Sequence, residues 1–222
     1  MIRRIYMKKL NIIYEDKELL VVEKESHQLT IATEKRENNT LYSEASTYVK
    51  KQYPKNKVFI VHRLDKDTSG IVIFAKNQDK KISLQNNWSN VKREYLCIVE
   101  GKMPKQKDTL KSYLAESKTL EVYSTKDPKK GKLAITEYEV LQSNNKYSLL
   151  KINIKTGRRN QIRVQLSDIG NPIIGDKKYH STSNPIKRLG LHASLIEYQE
   201  KGKTYHFETK YPKEFTKLFK NV

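Results

Sequence analysis

The chain has 222 residues with 44 Lys and Arg against 25 Asp and Glu, a formal net charge of +19. That length holds one substantial domain with a real core, and that charge points to a polyanion as partner, nucleic acid first among them. The single cysteine, Cys97, excludes a disulfide framework and argues against a cysteine-built metal site. It sits in the run Tyr95-Leu96-Cys97-Ile98-Val99, where a small buried hydrophobe is expected.

The basic stretch Met1 to Leu10 lacks the sustained apolar run of a signal peptide. No apolar run reaches membrane-spanning length, so a cytoplasmic protein without membrane contact is the expectation. Asn11 to Tyr14 and Leu19 to Val22 flank Glu15-Asp16-Lys17-Glu18 and predict a hairpin. Ser26 to Asn39 is polar and reads as a loop. Leu41 to Tyr53 predicts a helix, with apolar positions at Leu41, Ala45, Tyr48, Val49 and Tyr53 and a stop at Pro54. Val58 to Val61 and Ile71 to Ala75 read as strands around a polar loop. A second helix is predicted over Asp79 to Val91, then a strand over Tyr95 to Val99.

Gly101 to Lys111 and Lys126 to Lys132 read as basic connections, either solvated or touching RNA. Leu133 to Val140 and Tyr147 to Ile154 predict paired strands across a polar turn at Ser143 to Lys146. Arg158 to Ile169 predicts a short helix with Ile162, Leu166 and Ile169 on one face. Leu191 to Tyr198 and Thr204 to Thr209 predict a last hairpin. Strands outnumber helices and pair with near neighbours, so the fold class expected is α+β on a largely antiparallel mixed sheet with flanking helices.

The most telling stretch is Val61-His62-Arg63-Leu64-Asp65-Lys66-Asp67-Thr68-Ser69-Gly70, a charged loop between two apolar strands. Loops held at a sheet's rim are where sites are built. A calcium loop is rejected, because its twelfth position would be Lys76 where a carboxylate is needed. Lys155-Thr156-Gly157, Ser89 to Lys92 and Ser143 to Lys146 match β-lactamase boxes, but the Ser-Asp-Asn element is missing. Asp65 in isolation would suit a turn cap.

The ten residues resemble the H-R-L-D-x-x-T-S-G signature of RluA-type RNA pseudouridine synthases. Arg93-Glu94-Tyr95 to Gly101 resembles that family's Lys-x-Tyr strand ending in Val-x-Gly. Thr156-Gly157-Arg158-Arg159-Asn160-Gln161-Ile162-Arg163-Val164-Gln165-Leu166 resembles its T-G-R-x-H-Q-I-R-x-H-L, and Gly170 to Tyr179 its G-x-P-I-x-G-D-x-x-Y. Ala134 to Tyr138 and Leu191-His192-Ala193 are similar to its A-x-T-x-Y and L-H-A strands. The matches run in family order from about Asn11 to about Thr209. The resemblance implies a single catalytic domain over 1–222, with its core at about 11–209, a central RNA-binding cleft and no preceding S4 module.

The resemblance also implies an activity: uridine in ribosomal or transfer RNA isomerised to pseudouridine without a cofactor or metal. Asp65 would be the catalytic carboxylate, Tyr95 the active-site tyrosine and Arg163 the partner of the aspartate. His62, Arg63, Arg158 and Gln161 are expected to contact RNA, Arg63 filling the gap left by a flipped base. Two family histidines are replaced here by Asn160 and Gln165. Loss of both imidazoles supports the alternative, a catalytically inactive RNA-binding protein on the same fold; Asp65, Tyr95 and Arg163 oppose it. RNA is the implied partner of a monomer, with no protein partner.

Overall fold

The computed structural model describes residues 10–32 and 40–219, so part of the loop expected over 26–39 and nearly all of the basic N-terminal stretch lie outside the described residues. The chain divides into two compact units, Met1–Trp88 and Ser89–Val222.

In the first unit, β1 (Ile12–Glu15) and β2 (Leu19–Lys24) form the expected hairpin. Asp16 makes its turn: one carboxylate oxygen accepts the N–H groups of Glu18 and Leu19, both at 2.7 Å. β2 pairs antiparallel with β4 (Ser69–Ala75), in register from Leu19 opposite Ala75 to Lys24 opposite Gly70. β3 is only Phe59–Ile60, pairing with the end of β4. Helix α1 (Leu41–Gln52) begins at a reciprocal cap between Thr40 and Ser43 and buries Leu41, Ala45 and Val49, one stripe at a spacing of four. Tyr53 ends it in extended conformation, as a residue before proline prefers. Helix α2 (Gln78–Asn86) is shorter than predicted, with a separate 3-10 turn at Trp88–Asn90.

The second unit contains β5 (Lys92–Glu100), β6 (Lys107–Glu116), β7 (Val122–Thr125), β8 (Lys132–Ser143), β9 (Tyr147–Ile154), β10 (Leu191–Glu200) and β11 (Lys203–Glu208). They pair antiparallel in the order β11-β10-β5-β9-β8-β6-β7. β5 is buried on both faces, so its sequence is a continuous apolar run rather than an alternating one. Cys97 and Val99 meet Ile162 and Leu166 of helix α3 (Gln161–Asp168) on one face. Leu96 and Ile98 meet Phe215 and Phe219 on the other, at and just beyond the short helix α4 (Lys213–Thr216). Cys97 is fully buried and free, and burial pushes its thiol pKa well up, as expected for a packing residue.

Two expectations need correction. Part of the basic connection over 101–111 is strand β6, and β7 forms over Val122–Thr125, where no element was predicted. Lys107, Thr109 and Lys111 point to one exposed face of β6, so the lysines masked the period-two pattern. Helix α3 begins at Gln161, not Arg158, because Asn160 at its N-cap is left-handed (φ 51°) and breaks the helical path. Arg158 and Arg159 precede the helix and are exposed, while Arg163 turns inward.

His192 on β10 is 1% exposed, its Nε2 lying 2.7 Å from the Thr209 hydroxyl. Burial, then the Arg188 charge, lowers its pKa to about 3. A depressed folded pKa means that the unfolded chain takes up the proton first as pH falls below the ordinary histidine value of about 6.5. The contribution to stability is therefore complete at neutral pH and lost progressively toward pH 3. Urea midpoints should fall between pH 7 and 4, and His192→Gln should flatten that slope.

Candidate active site

The loop from Val61 to Gly70 is clamped by the segment after β2. Lys24 is fully buried and its ammonium donates to the carbonyls of Glu25 (2.8 Å), Gln28 (2.7 Å) and Lys66 (2.9 Å). Carbonyl partners of this kind are what make burying the cation tolerable. The Thr30 hydroxyl donates to the Leu64 carbonyl (2.8 Å) and accepts its N–H (3.2 Å), while the Ser26 hydroxyl donates to the Asp67 carbonyl (2.7 Å). Val61 and Leu64 anchor the loop in the core.

Within that frame the Asp65 carbonyl accepts the Thr68 N–H at 3.2 Å, closing a turn that leaves Asp65 partly buried. Gly70 supplies a φ of +115°, which a side chain would resist, where the loop re-enters β4 opposite Lys24. Arg63 is exposed, at the outer side of the loop. His62 faces inward instead: the Ile73 N–H donates to its Nε2 at 3.0 Å and its ring stacks on Trp88 with centroids 4.5 Å apart. Through that bond and that stack the imidazole braces the loop against β4.

In the second unit Tyr95 is partly buried on β5, between Ala193 of β10 and Ile152 of β9, and packs against the core on the face that carries α3. Arg93 lies on the same face and is buried, its Nε donating to the Val91 carbonyl at 3.3 Å. Its guanidinium reaches the Thr156-Gly157 turn, where a Cβ on Gly157 would stand 2.9 Å from Nη1. Burial lowers the Arg93 pKa.

Gln161, expected to touch RNA, is placed as an internal brace. Its Oε1 accepts the Thr156 hydroxyl (2.7 Å) and the Arg158 N–H (3.1 Å); its Nε2 donates to the Ile135 carbonyl (3.0 Å) and the Thr136 hydroxyl (2.8 Å). All four positions of the amide are used inside the protein. The turn so held presents Arg158, exposed and donating from Nε to the Leu133 carbonyl at 3.1 Å.

Arg163 makes a fork with Asp176: Nε and Nη2 each donate to one carboxylate oxygen at 2.7 Å. Asp176 has a side-chain exposure of 1%. Arg163 Nη1 donates to Asn160 Oδ1 (3.3 Å), Asn160 Nδ2 donates to the Tyr179 hydroxyl (2.8 Å), and the guanidinium lies 5.0 Å from the Tyr179 ring centroid. The network thus joins the Asn-Gln-Ile-Arg string to the Gly-Asp-x-x-Tyr string. Bidentate pairing fixes the guanidinium plane as well as its position. The loop carrying Asp176 and Tyr179 is pinned in turn by Glu100, which accepts from Ser181, Thr182 and Ser183.

The two residues standing where the family has histidines have structural work. Asn160 bridges Arg163 and Tyr179. Gln165 Nε2 donates to the Ser112 hydroxyl (3.0 Å) and the Ala134 carbonyl (3.1 Å), tying α3 to β6 and β8. Its Oε1 is buried without a partner among the described residues, and turning the amide over would set that oxygen against carbonyls.

Lys24, Thr30 and Asp176 are the site's supports that sequence reasoning gave no role. Asp176 had a signal, its place in the Gly-Asp-x-x-Tyr string; Lys24 had a weaker one, a lysine at the inward phase of Leu20 and Val22. Among the described residues no cluster of His, Cys, Asp and Glu is arranged to hold a metal ion, and no helix is long and apolar enough to cross a membrane.

An open, mostly antiparallel sheet with few helices, a clamped aspartate loop and a buried arginine on a short helix define an α+β fold of the pseudouridylate synthase type. The family model described as RNA pseudouridylate synthase matches residues 18–168, and the chain belongs to that family. It is 33% identical over 192 residues to the uncharacterized RNA pseudouridine synthase YhcT of Bacillus subtilis, covering 85% of this chain and 63% of that protein. To the ribosomal large subunit pseudouridine synthase C of Rickettsia prowazekii it is 36% identical over 214 residues, 93% of this chain and 69% of the relative. The chain spans 62–63% of the length of the first curated relatives it matches. The solved structure of human RNA pseudouridylate synthase domain containing 4 has the same fold, with a TM-score of 0.79 at 20% identity over 93% of this chain and 90% of that one.

Proposed function

We propose that this protein isomerises uridine to pseudouridine in an RNA, without a cofactor. The observation that carries the reading is the Val61 to Gly70 loop: the family signature, with its aspartate half-buried on a backbone clamped by Lys24 and Thr30. Pseudouridine formation breaks the N-glycosidic bond, turns the uracil and joins its C5 to the ribose. In the roles the family resemblance gives, Asp65 supplies the carboxylate, Arg163 keeps it ionised and aimed, and Tyr95 stacks on the base and serves in removing the C5 proton. A paired uridine has to leave its helix to be reached, and exposed Arg63 fills the space it vacates. Arg158 and the surrounding lysines hold phosphates.

Ribosomal or transfer RNA is the proposed substrate; one relative's name specifies the large ribosomal subunit. The protein is proposed to act as a cytoplasmic monomer on a single catalytic domain. Asn160 and Gln165 serve as neutral supports, so the site does not need proton-carrying imidazoles at either position. Asn160→His should alter turnover by no more than a few-fold, measured as pseudouridine formed per enzyme, because histidine also tolerates left-handed backbone and can make one of the two bonds.

With a charge of +19, binding should be largely electrostatic. If about five phosphates are neutralised, raising salt from about 50 to about 200 mM weakens RNA binding by several hundred-fold, read from titrations at each salt. A flat affinity over that range contradicts this. Mapping pseudouridines in total RNA from cells with and without the gene tests the function itself: one or a few uridines should lose modification in its absence, and an unchanged map overturns the proposal.

A further inference from the structure

Strands β6, β7 and β8 have two unlike faces. Leu114, Val122 and Ala134 turn to one side and pack with Val164 of α3 and with Tyr179, the residue bonded to Asn160 and stacked near Arg163. Their neighbours in sequence point the other way. Tyr113 is opposite Thr125 and Leu133, Ala115 is opposite Tyr123, and Lys111 is opposite Ile135. Directly opposed residues share a face, so Tyr113, Tyr123, Leu133 and Lys111 lie together on the side away from α3. Tyr123 is 46% exposed and Leu133 40% exposed.

The connection from β7 to β8, residues 126–131, crosses β6 on this same outer side. Thr125 and Leu133 are both partners of Tyr113, on its two flanks. A Cβ added to Gly131 would stand 2.9 Å from Thr125 and 3.0 Å from Tyr113, so the crossing lies close against the sheet. Lys126, Lys129 and Lys130 are exposed on it, and Asp127 holds its shape by accepting the Lys129 N–H at 2.9 Å. Lys126, Lys129 and Lys111 have no ion-pair partner among the described residues, and Lys130 has only Asp127 at 3.8 Å.

The opposite end of the same sheet face is neutralised. Glu139 pairs with Lys107 and Lys151, and Glu137 pairs with Lys155. Uncompensated positive charge is therefore concentrated at the crossing, beside exposed Tyr123 and Leu133. A flat aromatic beside several lysines suits a polyanion whose rings stack, and does not suit an acidic protein equally well, since carboxylates offer nothing for the tyrosine ring to stack on.

We propose that this outer face, formed by Tyr123, Leu133, Lys111, Lys126, Lys129 and Lys130, is a second RNA-docking surface, which grips single-stranded or looped RNA on the side of the sheet away from α3 and Arg163. The inference rests on the reading of the protein as an RNA pseudouridine synthase. It adds a contact that sets affinity for an extended RNA without entering the chemistry.

The test is direct titration of two labelled probes, poly(U) and a folded ribosomal RNA, into wild type, a K111Q/K126Q/K129Q/K130Q variant and Tyr123→Ala. All five substituted side chains are exposed, so the fold should be kept, and circular dichroism checks this. The quadruple variant should bind both probes about 10- to 100-fold more weakly, with a salt-dependence slope smaller by about 2 to 3. Tyr123→Ala should lose about 5- to 50-fold on poly(U), in the range of one lost base stack. Under saturating RNA each variant should form pseudouridine at the wild-type rate, so the loss shows in KM and not in kcat. Wild-type affinity and slope in both variants overturn the docking surface while leaving the enzyme reading intact. A wild-type protein that modifies no RNA overturns the enzyme reading, and wild-type protein binding neither probe overturns both.

Discussion

Asp65→Asn is expected to abolish pseudouridine formation, a loss on the order of a thousandfold or more, with fold and RNA affinity kept. The substitution removes a charge and keeps the shape. The loop's backbone has its own supports: Lys24, Thr30 and Ser26 hold it through the carbonyls of Lys66, Leu64 and Asp67, and Thr68 closes the turn on the Asp65 carbonyl, which asparagine retains. Thermal melting and RNA titration should therefore match wild type while product is absent. Asp65→Asn protein that turns over at more than a trace removes Asp65 from the chemistry.

The second large effect is expected at the fork between Arg163 and Asp176. Arg163→Lys keeps the charge but cannot make two parallel bonds at 2.7 Å to the two oxygens of Asp176. Turnover should fall by about 100-fold or more, with RNA affinity within a few-fold, because the group held in place is lost while the surface lysines are untouched. Asp176→Asn leaves a buried guanidinium half-paired and should also destabilise the protein by about 3–5 kcal/mol, seen in urea unfolding. Near-wild-type turnover in Arg163→Lys would show that the fork geometry is not needed.

The sheet was legible wherever burial wrote a period into the sequence. The apolar runs of β2, β4 and β5 and the one-stripe helix α1 stand where the residues place them. β6 and β7 were not legible, because one face of each is largely exposed and rich in lysine, tyrosine and threonine, so that half of the pattern reads as loop. The start of α3 was misplaced by three residues because helix propensity says nothing of a left-handed Asn160.

The catalytic candidates were legible as strings, not as geometry. Asp65, Tyr95 and Arg163 came from the order of motifs, which carries no information on what braces them. Gln161 and His62, expected at the RNA, turned out to have their polar atoms engaged within the protein. Nothing in a linear sequence distinguishes a glutamine with four internal bonds from one on the surface; only its neighbours in space, among them Ile135 and Thr136 of β8, do so. The same holds for Lys24, whose three carbonyl partners come from two separate segments.

The central claim is tested most directly by incubating purified protein, wild type and Asp65→Asn side by side, with RNA from cells lacking the gene, then reading pseudouridine at single-nucleotide resolution. Wild type should restore modification at the same one or few uridines that lose it in those cells, and Asp65→Asn should restore none. Tight RNA binding by wild type with no new pseudouridine at any position would contradict the account and leave an inactive RNA-binding protein.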